Sequence, residues 1–524
     1  MLRTVSERVA TIVAIAIVVM VIGASAAPAS TRVAQASPRH GGTLTQLVPG
    51  ETWPTLDVAT DSQDAANAGI NGAIDGTLFE QGSAGSLVPD IALGYAWSNK
   101  NLTFTVTLRP GVKFQDGTPV NAKAIVFDWN RDLLPSNACL CLSNFAAVSS
   151  MSTQGTYKAV MHLKYPDAAL AGAFFNNAPN WPQSPTALGS ESLVSFGLHP
   201  IGAGPFEVVS DEPGASLDLT RNPHYWEKGH PYLSGVDFLA TSNDESDYSA
   251  LESGEAEVST FSTTSIIEQA KSSFSFKVDS PQSVNYEFVA LNSRSAPFNN
   301  LLAREILSYA TNAKQLVASI YSNLYPLTEA PIAAGTDFFE KKYSAYLGYN
   351  PTKAKALLAE YQTQTGSPFP TVQLFTAINT PVWVTEASAI AQQWEQVGIQ
   401  VQITPKAVTT YAADMQTGAW SVFLTNGVET GVDPSFATPA MFGSTGFFSG
   451  TTSPALDGDL QRAAEIKDPT ARQRFYNQIF NLLDQNAYAI PLYQKTTYVV
   501  LTKNVMNWVA PTGANAYYEN VWLK

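Results

Sequence analysis

Hydrophobic and polar positions alternate in some windows of this chain and recur at helical spacing in others. In residues 102–108, LTFTVTL, the apolar Leu102, Phe104, Val106 and Leu108 alternate with Thr103, Thr105 and Thr107. That period of two predicts a half-buried strand with one polar face. Arg109-Pro110-Gly111 ends it, and Asp116-Gly117 predicts a turn. A helix is then expected from an N-cap at Asn121, because Ala122, Ile125, Val126 and Trp129 share one helical face. Asn350-Pro351 predicts another helix start, followed by Ala354, Leu357, Leu358 and Tyr361 at the same spacing. A third helix is expected from Thr385, with Ala387, Ile390, Ala391, Trp394 and Val397 on one face and Gly398 as its stop. Ile399, Val401 and Ile403 then alternate with glutamines as a strand. Asp468-Pro469 opens a fourth helix carrying Phe475, Ile479, Leu482 and Leu483, and Tyr498–Leu501 reads as a buried strand. Strands and helices are intermixed from end to end, which predicts an α/β protein. No fixed-period repeat is present. Gly- and Pro-bearing stretches near 82–89, 180–190 and 280–298 are the candidate boundaries.

The first residues read as an address. Ile12 to Ile22, IVAIAIVVMVI, is apolar without interruption, with Arg3 and Arg8 before it and the small-residue stretch ASAAPASTRVAQA after Gly23. This is the pattern of a secretory signal peptide, expected over residues 1–36 with cleavage after Ala26, Ala29 or Ala36. The alternative is an uncleaved anchor, for which the run is short of the roughly 20 residues a span requires. No cysteine follows the apolar run, so a lipid-modified N-terminus is not expected. The mature protein is expected to be soluble and exported, either periplasmic or in the cell envelope or extracellular space.

Length and composition narrow the picture further. At about 150 residues per domain, 524 residues correspond to three or four domains. Charged residues make up 14%, against roughly 25% in ordinary soluble domains, which excludes coiled coils and disordered polyelectrolytes. The net charge of −14 repels phosphate backbones and argues against nucleic-acid binding. Two cysteines build neither a disulfide scaffold nor a four-thiolate zinc site. In an exported chain Cys139 and Cys141, separated only by Leu140, are either a local disulfide or two buried thiols; a redox role is the sharper alternative.

A search for chemistry finds no G-x-S-x-G, H-E-x-x-H or G-x-x-x-x-G-K-[ST] segment. His224 and His230, with Glu227 as a third ligand, form the one arrangement resembling a metal site, and a loop edge with surface histidines is favoured over it. Acid pairs such as Asp244-Glu245 and Glu255/Glu257 are expected by chance among 44 acids. No catalytic residue, metal or cofactor is therefore assigned. Aromatic residues, at 11%, exceed what cores alone call for, which points to a ligand cleft between lobes.

Seven stretches in order carry a resemblance. They are LRPGVKFQDGTPVNAKAIVFDWNR (108–131), GAGPFEVVS (202–210), LTRNPHYWEKGHPYLSGVDF (219–238), APFNNLLAREILSYATNAKQLV (296–317), YNPTKAKALLAEY (349–361), WEQVGIQVQI (394–403) and ARQRFYNQIFNLLDQNAYAIPLYQKTTYVV (471–500). Together they resemble the extracellular solute-binding family of peptide- and nickel-type ABC importers, similar to oligopeptide- and dipeptide-binding proteins, from about Gly41 to the C-terminus. One departure is Lys123 or Ala124, where the family's helix usually has Asp. The resemblance implies a two-lobed periplasmic-binding-protein-like fold (type II, cluster C-like) with an extra subdomain and a hinge cleft. Lobe one is expected to be discontinuous, at 41–82, 190–285 and 496–524. The inserted subdomain is expected at 83–189 and lobe two at 286–495. The implied function is capture of a small solute, with an oligopeptide favoured, and its delivery to an ABC importer membrane permease by a monomer. The alternatives are an exported hydrolase acting on sugars or peptides, and a sensor-type binding module without transport.

Peptide-binding relatives carry an Asp that pairs with the ligand's ammonium in a segment similar to AWSVFLTNGVETGVDPSF (419–436). Aligning on Asp433-Pro434 puts Thr430 at that position, with Glu429 adjacent and Asp433 as the second acid. A desolvated ammonium must meet a carboxylate, so Glu429 is the expected replacement; without one, a neutral or differently charged ligand is favoured. Position along the chain adds Trp53, Asp57, Phe261, Tyr286, Trp420 and Asn426, and Phe447-Phe448 beyond the acidic loop. For each aromatic, core packing is the competing reading.

Overall fold

The computed structural model describes residues 37–524 apart from 50–52, 61–64, 83–86, 138, 176, 282–284, 378–380, 429–432, 436, 445, 447–449 and 510–516. Arg39–Lys524 form one compact unit.

Three principal sheets organise that unit. A seven-stranded sheet runs in the order Phe276–Asp279, Tyr498–Thr502, Val258–Phe261, Thr43–Pro49, Gly235–Thr241, Ser216–Arg221, Phe206–Glu212. Its central strand Thr43–Pro49 is parallel to both neighbours, and the outer pairings are antiparallel. A five-stranded sheet has the order Val401–Lys406, Val372–Ala377, Val422–Val428, Asn285–Leu291, Ala489–Lys495. A four-stranded antiparallel sheet, Ala92–Ser98, Thr103–Leu108, Lys158–Leu163, Val148–Thr153, lies between the first and later strands of the seven-stranded sheet in sequence.

The expected local signals operate as caps and turns. The Asn121 side chain accepts from the Lys123 and Ala124 amides, 2.9 and 3.0 Å, and starts the helix Ala122–Asp132. Asn350 caps Pro351–Thr365 through the Lys353 amide, and Asp468 caps Pro469–Gln485 through Ala471. The strand expected at 102–108 is Thr103–Leu108, its Phe104, Val106 and Leu108 buried. Two boundaries differ from expectation. The third helix begins at Pro381, not Thr385, because proline fits the first helical turn and carries the helix further upstream. The following strand begins at Val401; Ile399 is buried ahead of it in the turn that closes on Trp394.

The segment 108–131 is a joint. Asp116 Oδ1 accepts from the Thr118 amide, 2.8 Å, and its Oδ2 from the Ser184 hydroxyl, 2.5 Å. The Gln115 side-chain amide donates to the Ile74 and Phe206 carbonyls, 2.9 and 2.8 Å, and its oxygen accepts from the Gly202 amide, 3.1 Å. These bonds tie the four-stranded segment to the seven-stranded sheet. Gly202 has to be glycine there, since a Cβ would lie 2.3 Å from the Asp75 Cα. Cys139 and Cys141 are joined as a disulfide and are buried.

Candidate functional site

Two short neighbouring crossings join the five-stranded and seven-stranded sheets. One runs from Asp279 to Asn285, the other from Lys495 through Thr496 and Thr497 to Tyr498. Asn285 and Lys495 face each other as the last paired residues of the five-stranded sheet, and Phe261 and Tyr498 pair at the edge of the other sheet. Around this double crossing lies a cavity of about 150 Å³, lined from one side by Pro49, Phe261 and Ser262 and from the other by Asn285, Tyr325 and Lys495.

Aromatic rings form the pivot beneath it. Tyr325 stacks on Tyr493 with centroids 5.3 Å apart and planes 10° off parallel, and on Tyr498 at 6.5 Å. One ring thus touches strands of both sheets, and each such pair contributes about 0.5–1.5 kcal/mol beyond its burial. The Tyr498 hydroxyl donates to the Leu324 carbonyl, 2.7 Å. A single hydrophobic cluster containing Phe261, Tyr325, Tyr493 and Tyr498 runs across the junction.

Behind the cavity, inside the body of the five-stranded sheet, two glutamates are fully buried. Glu386 accepts from the hydroxyls of Tyr321, 2.9 Å, and Tyr493, 2.5 Å. Glu287 is the one charged residue of the strand Asn285–Leu291. Burial pushes the Glu287 carboxyl up to about 8, the charge of Glu386 adds to the rise, and Lys495 and the Trp383 indole oppose it. Burial also raises Glu386, against the two tyrosine bonds and Lys495. Lys495 thus both lines the cavity and acts on the two buried carboxyls through its charge.

On another side, the short helical turn Ala168–Phe174 of the four-stranded segment packs on the helix Pro454–Glu465. Asp167, which caps that turn through the Ala169 amide, is raised to about 6 by burial, with Arg472 lowering and Asp433 raising it. The inserted segment and the body of the five-stranded sheet thus touch.

The residues expected at a ligand site are distributed unevenly over this geometry. Phe261 lines the cavity. Asn426, half-buried, sits opposite Glu287 on the adjacent strand. Trp53 is fully buried in the core under the seven-stranded sheet, and its indole N–H donates to Asp211, 2.9 Å. Asp57, 1% exposed, is ion-paired with Arg131 and accepts from the Ala59 amide, 3.1 Å, so it serves the joint to the inserted segment. Tyr286 is buried against Gly427, where a Cβ would lie 2.0 Å from its ring. Trp420 packs on Phe423 at 5.1 Å and closely against Gly450. Asp433 is bidentate to Arg472, 2.6 and 2.8 Å, and accepts from the Ser435 amide, 3.0 Å. Glu429, Thr430, Phe447 and Phe448 lie outside the described residues. Sequence reasoning missed Asn285, Tyr325, Lys495 and the Glu287–Glu386 pair. The available signal was one charged residue in each of two apolar runs, Glu287 in NYEFVAL and Lys495 ending AIPLYQK.

Among the described residues, no group of three His, Cys, Asp or Glu is placed to hold a metal ion, and no helix is long and apolar enough to cross a membrane. The family profile for "Bacterial extracellular solute-binding proteins, family 5 Middle" matches residues 86–449, well over half of the chain. The chain belongs to this family. It is a solute-binding protein of the ABC-importer type, with the two-lobed fold of that class. Among curated relatives, the glutathione-binding protein GsiB of Pectobacterium atrosepticum is 27% identical over 463 residues, covering 84% of this chain and 86% of that one. GsiB of Escherichia coli O1:K1 is 26% identical over 491 residues, covering 88% and 91%. Among solved structures, the ABC transporter substrate-binding protein CtaP of Listeria monocytogenes superposes with a TM-score of 0.81 at 20% identity, covering 93% of this chain and all of the other. The oligopeptide-binding protein AppA of Bacillus subtilis, solved with a nonapeptide, gives 0.72 at 19%, with coverage of 93% and 100%.

Proposed function

We propose that this family member captures an oligopeptide between its lobes and hands it to the membrane permease of an ABC importer, without making or breaking a bond. The observation that carries this reading is the cavity at the double crossing, a position where one ligand touches both sheet bodies. Peptide as the solute class is supported by relatives whose names specify glutathione and a bound nonapeptide. In this reading lobe one comprises 41–82, 190–285 and 496–524, the insert 83–189, and lobe two 286–495. Phe261 and Asn426 lie nearest the ligand, and Glu429 receives its ammonium. Residues 1–36 direct export and are removed, leaving a monomer in the periplasm, the cell envelope or the extracellular space.

The experiment is mass spectrometry of small molecules released on denaturing the purified protein, with a thermal-shift screen of peptides, sugars and metal chelates. Peptides among the released species, and stabilisation by peptides, are expected; a ligand at about 100 times its Kd adds roughly 2.7 kcal/mol. Released sugars or chelates with no peptide overturn the peptide reading. Accumulation of cleavage products overturns the non-catalytic one.

A further inference from the structure

Three lysines gather at one edge of the seven-stranded sheet, at the strand ends away from the hinge. The edge strand Phe276–Asp279 pairs with Tyr498–Thr502 so that Phe276 faces Thr502, which brings the preceding turn, 272–275, alongside Lys503 and Asn504. The Asn504 carbonyl accepts from the Lys524 amide, 2.9 Å, so the C-terminal residue lies there too. Lys277 reaches the same place, its ammonium donating to the Val505 carbonyl. All three lysines are exposed, and among the described residues none of them is ion-paired. They act on one another: partial burial, then the charges of Lys524 and Lys503, hold the Lys277 ammonium below its usual range. Nearby acids do not balance them. Glu257, beside Thr502, is turned onto the Thr45 amide at 2.8 Å, and Glu268 is offset by Lys271 on its own helix. The C-terminal carboxylate offsets one charge of the three. At the tip of the turn stands Phe274, 91% exposed. The Ser275 amide donates to the Ser273 hydroxyl oxygen, 3.1 Å, which turns the chain so that Phe276 enters the core and Phe274 is left outside.

We propose that this tip is a peripheral membrane contact, in which Phe274 enters the interface of an anionic bilayer while Lys277, Lys503 and Lys524 meet its headgroups. A single exposed apolar side chain is ordinary. A ring at a loop tip, flanked by serines and by three ammoniums, has the composition of an interfacial anchor. Charge complementarity selects the partner. A chain with a net charge of −14 is repelled by an anionic surface as a whole, and approaches one only where cations lie together within a Debye length. Anionic headgroups also relieve the repulsion among the three lysines. A protruding ring suits a bilayer, which opens around it; a protein partner would have to supply a pocket. The patch lies at the ends of Phe276–Asp279 and Tyr498–Thr502 opposite the double crossing, so the contact leaves the hinge free. One ring and a net two charges give weak, reversible attachment. The contact does not depend on which solute the cleft takes.

The test uses the chain from Arg39, the compact unit of the fold, without a C-terminal tag. Co-sedimentation is measured with vesicles of phosphatidylcholine alone and of equal parts phosphatidylcholine and phosphatidylglycerol. At about 0.01 M salt the anionic vesicles are expected to bind roughly tenfold or more of what the neutral ones do, and at about 1 M, where the Debye length is roughly 3 Å, the preference should vanish. Lys503→Gln/Lys524→Gln, which removes two exposed cations without touching the Lys277 bond, should bring the ratio to within about twofold. Phe274→Ser should lower binding to the anionic vesicles about fivefold, and Phe274→Trp should preserve it. Both substitutions lie on the surface, so the variants should melt with the native chain; a variant that melts lower is replaced by Lys503→Ala/Lys524→Ala or Phe274→Ala. Equal binding to the two vesicles, or an undiminished preference in the lysine and Phe274→Ser variants, overturns the membrane contact. Retention only on permease reconstituted in neutral lipid, lost in the same variants, also overturns it and assigns the patch to a protein partner. Solute capture in the cleft is untouched by either outcome.

Discussion

Asp433 separates two accounts of the same residue, one in which it serves a ligand and one in which it serves the fold. The structure buries it with Arg472, side chains 10% and 5% exposed, at 2.6 and 2.8 Å in a fork geometry. Replacing Asp433 with Ala leaves a buried guanidinium without its carboxylate, and also removes the acceptor of the Ser435 amide. Orphaning one partner of a buried pair costs about 3–5 kcal/mol. Asp167 gives the loss a pH dependence. Its carboxyl, raised to about 6, is pushed up by Asp433 and drawn down by Arg472, so Asp433→Ala lets it ionise more readily. The loss should therefore be smaller at pH 8, where Asp167 is ionised, than at pH 5, where it is neutral. Urea unfolding followed by tryptophan fluorescence at both pH values measures it. The variant Asp433→Leu/Arg472→Met should recover most of the stability, because an apolar pair of similar volume leaves no orphaned charge. A loss below about 1 kcal/mol at both pH values, with weakened peptide binding, would refute the structural assignment and return Asp433 to the ligand.

Gly427→Ala drives a methyl group into the Tyr286 ring and should cost about 1–3 kcal/mol by overpacking; a variant melting with the native chain would show that the strand shifts freely. Glu80, Asp90 and Glu519 are each pushed to about 7, by burial first and mutual repulsion second, and Asp484 to about 8 by burial and Glu329. Folded, these groups hold protons that the unfolded chain releases from about pH 4 upward, so their contribution is complete below that pH and lost as pH rises through about 7 to 8. The melting temperature should fall between pH 5 and pH 8, and Glu519→Gln should flatten the fall; a rise over that interval contradicts the assignment.

Much of this protein is set by short-range rules. Asn121, Asn350 and Asp468 each reach an amide within three residues, so the helices they start were legible from the cap and the apolar spacing after it. The alternation in LTFTVTL fixes which face of its strand is buried, whatever lies opposite. Gln115, Asp116 and Gly202 lie inside the ordered segments that carry the resemblance, but their role as a joint, with partners at Ile74, Phe206 and Ser184, showed only in the folded chain. The site was legible only in part. Trp53, Asp57 and Asp433 carry the residue types a ligand site uses, but their partners lie 158, 74 and 39 residues away, at Asp211, Arg131 and Arg472. Lys495 and Glu287 showed the converse, each a lone charge in an apolar strand that reads alone as an irregularity. Whether a charge is spent on the fold or left facing a cavity depends on what the distant chain brings beside it. Hydrogen bonds and apolar spacing act over a few residues and can be read along the sequence; the pairing of charges across sheets is decided only when the sheets meet.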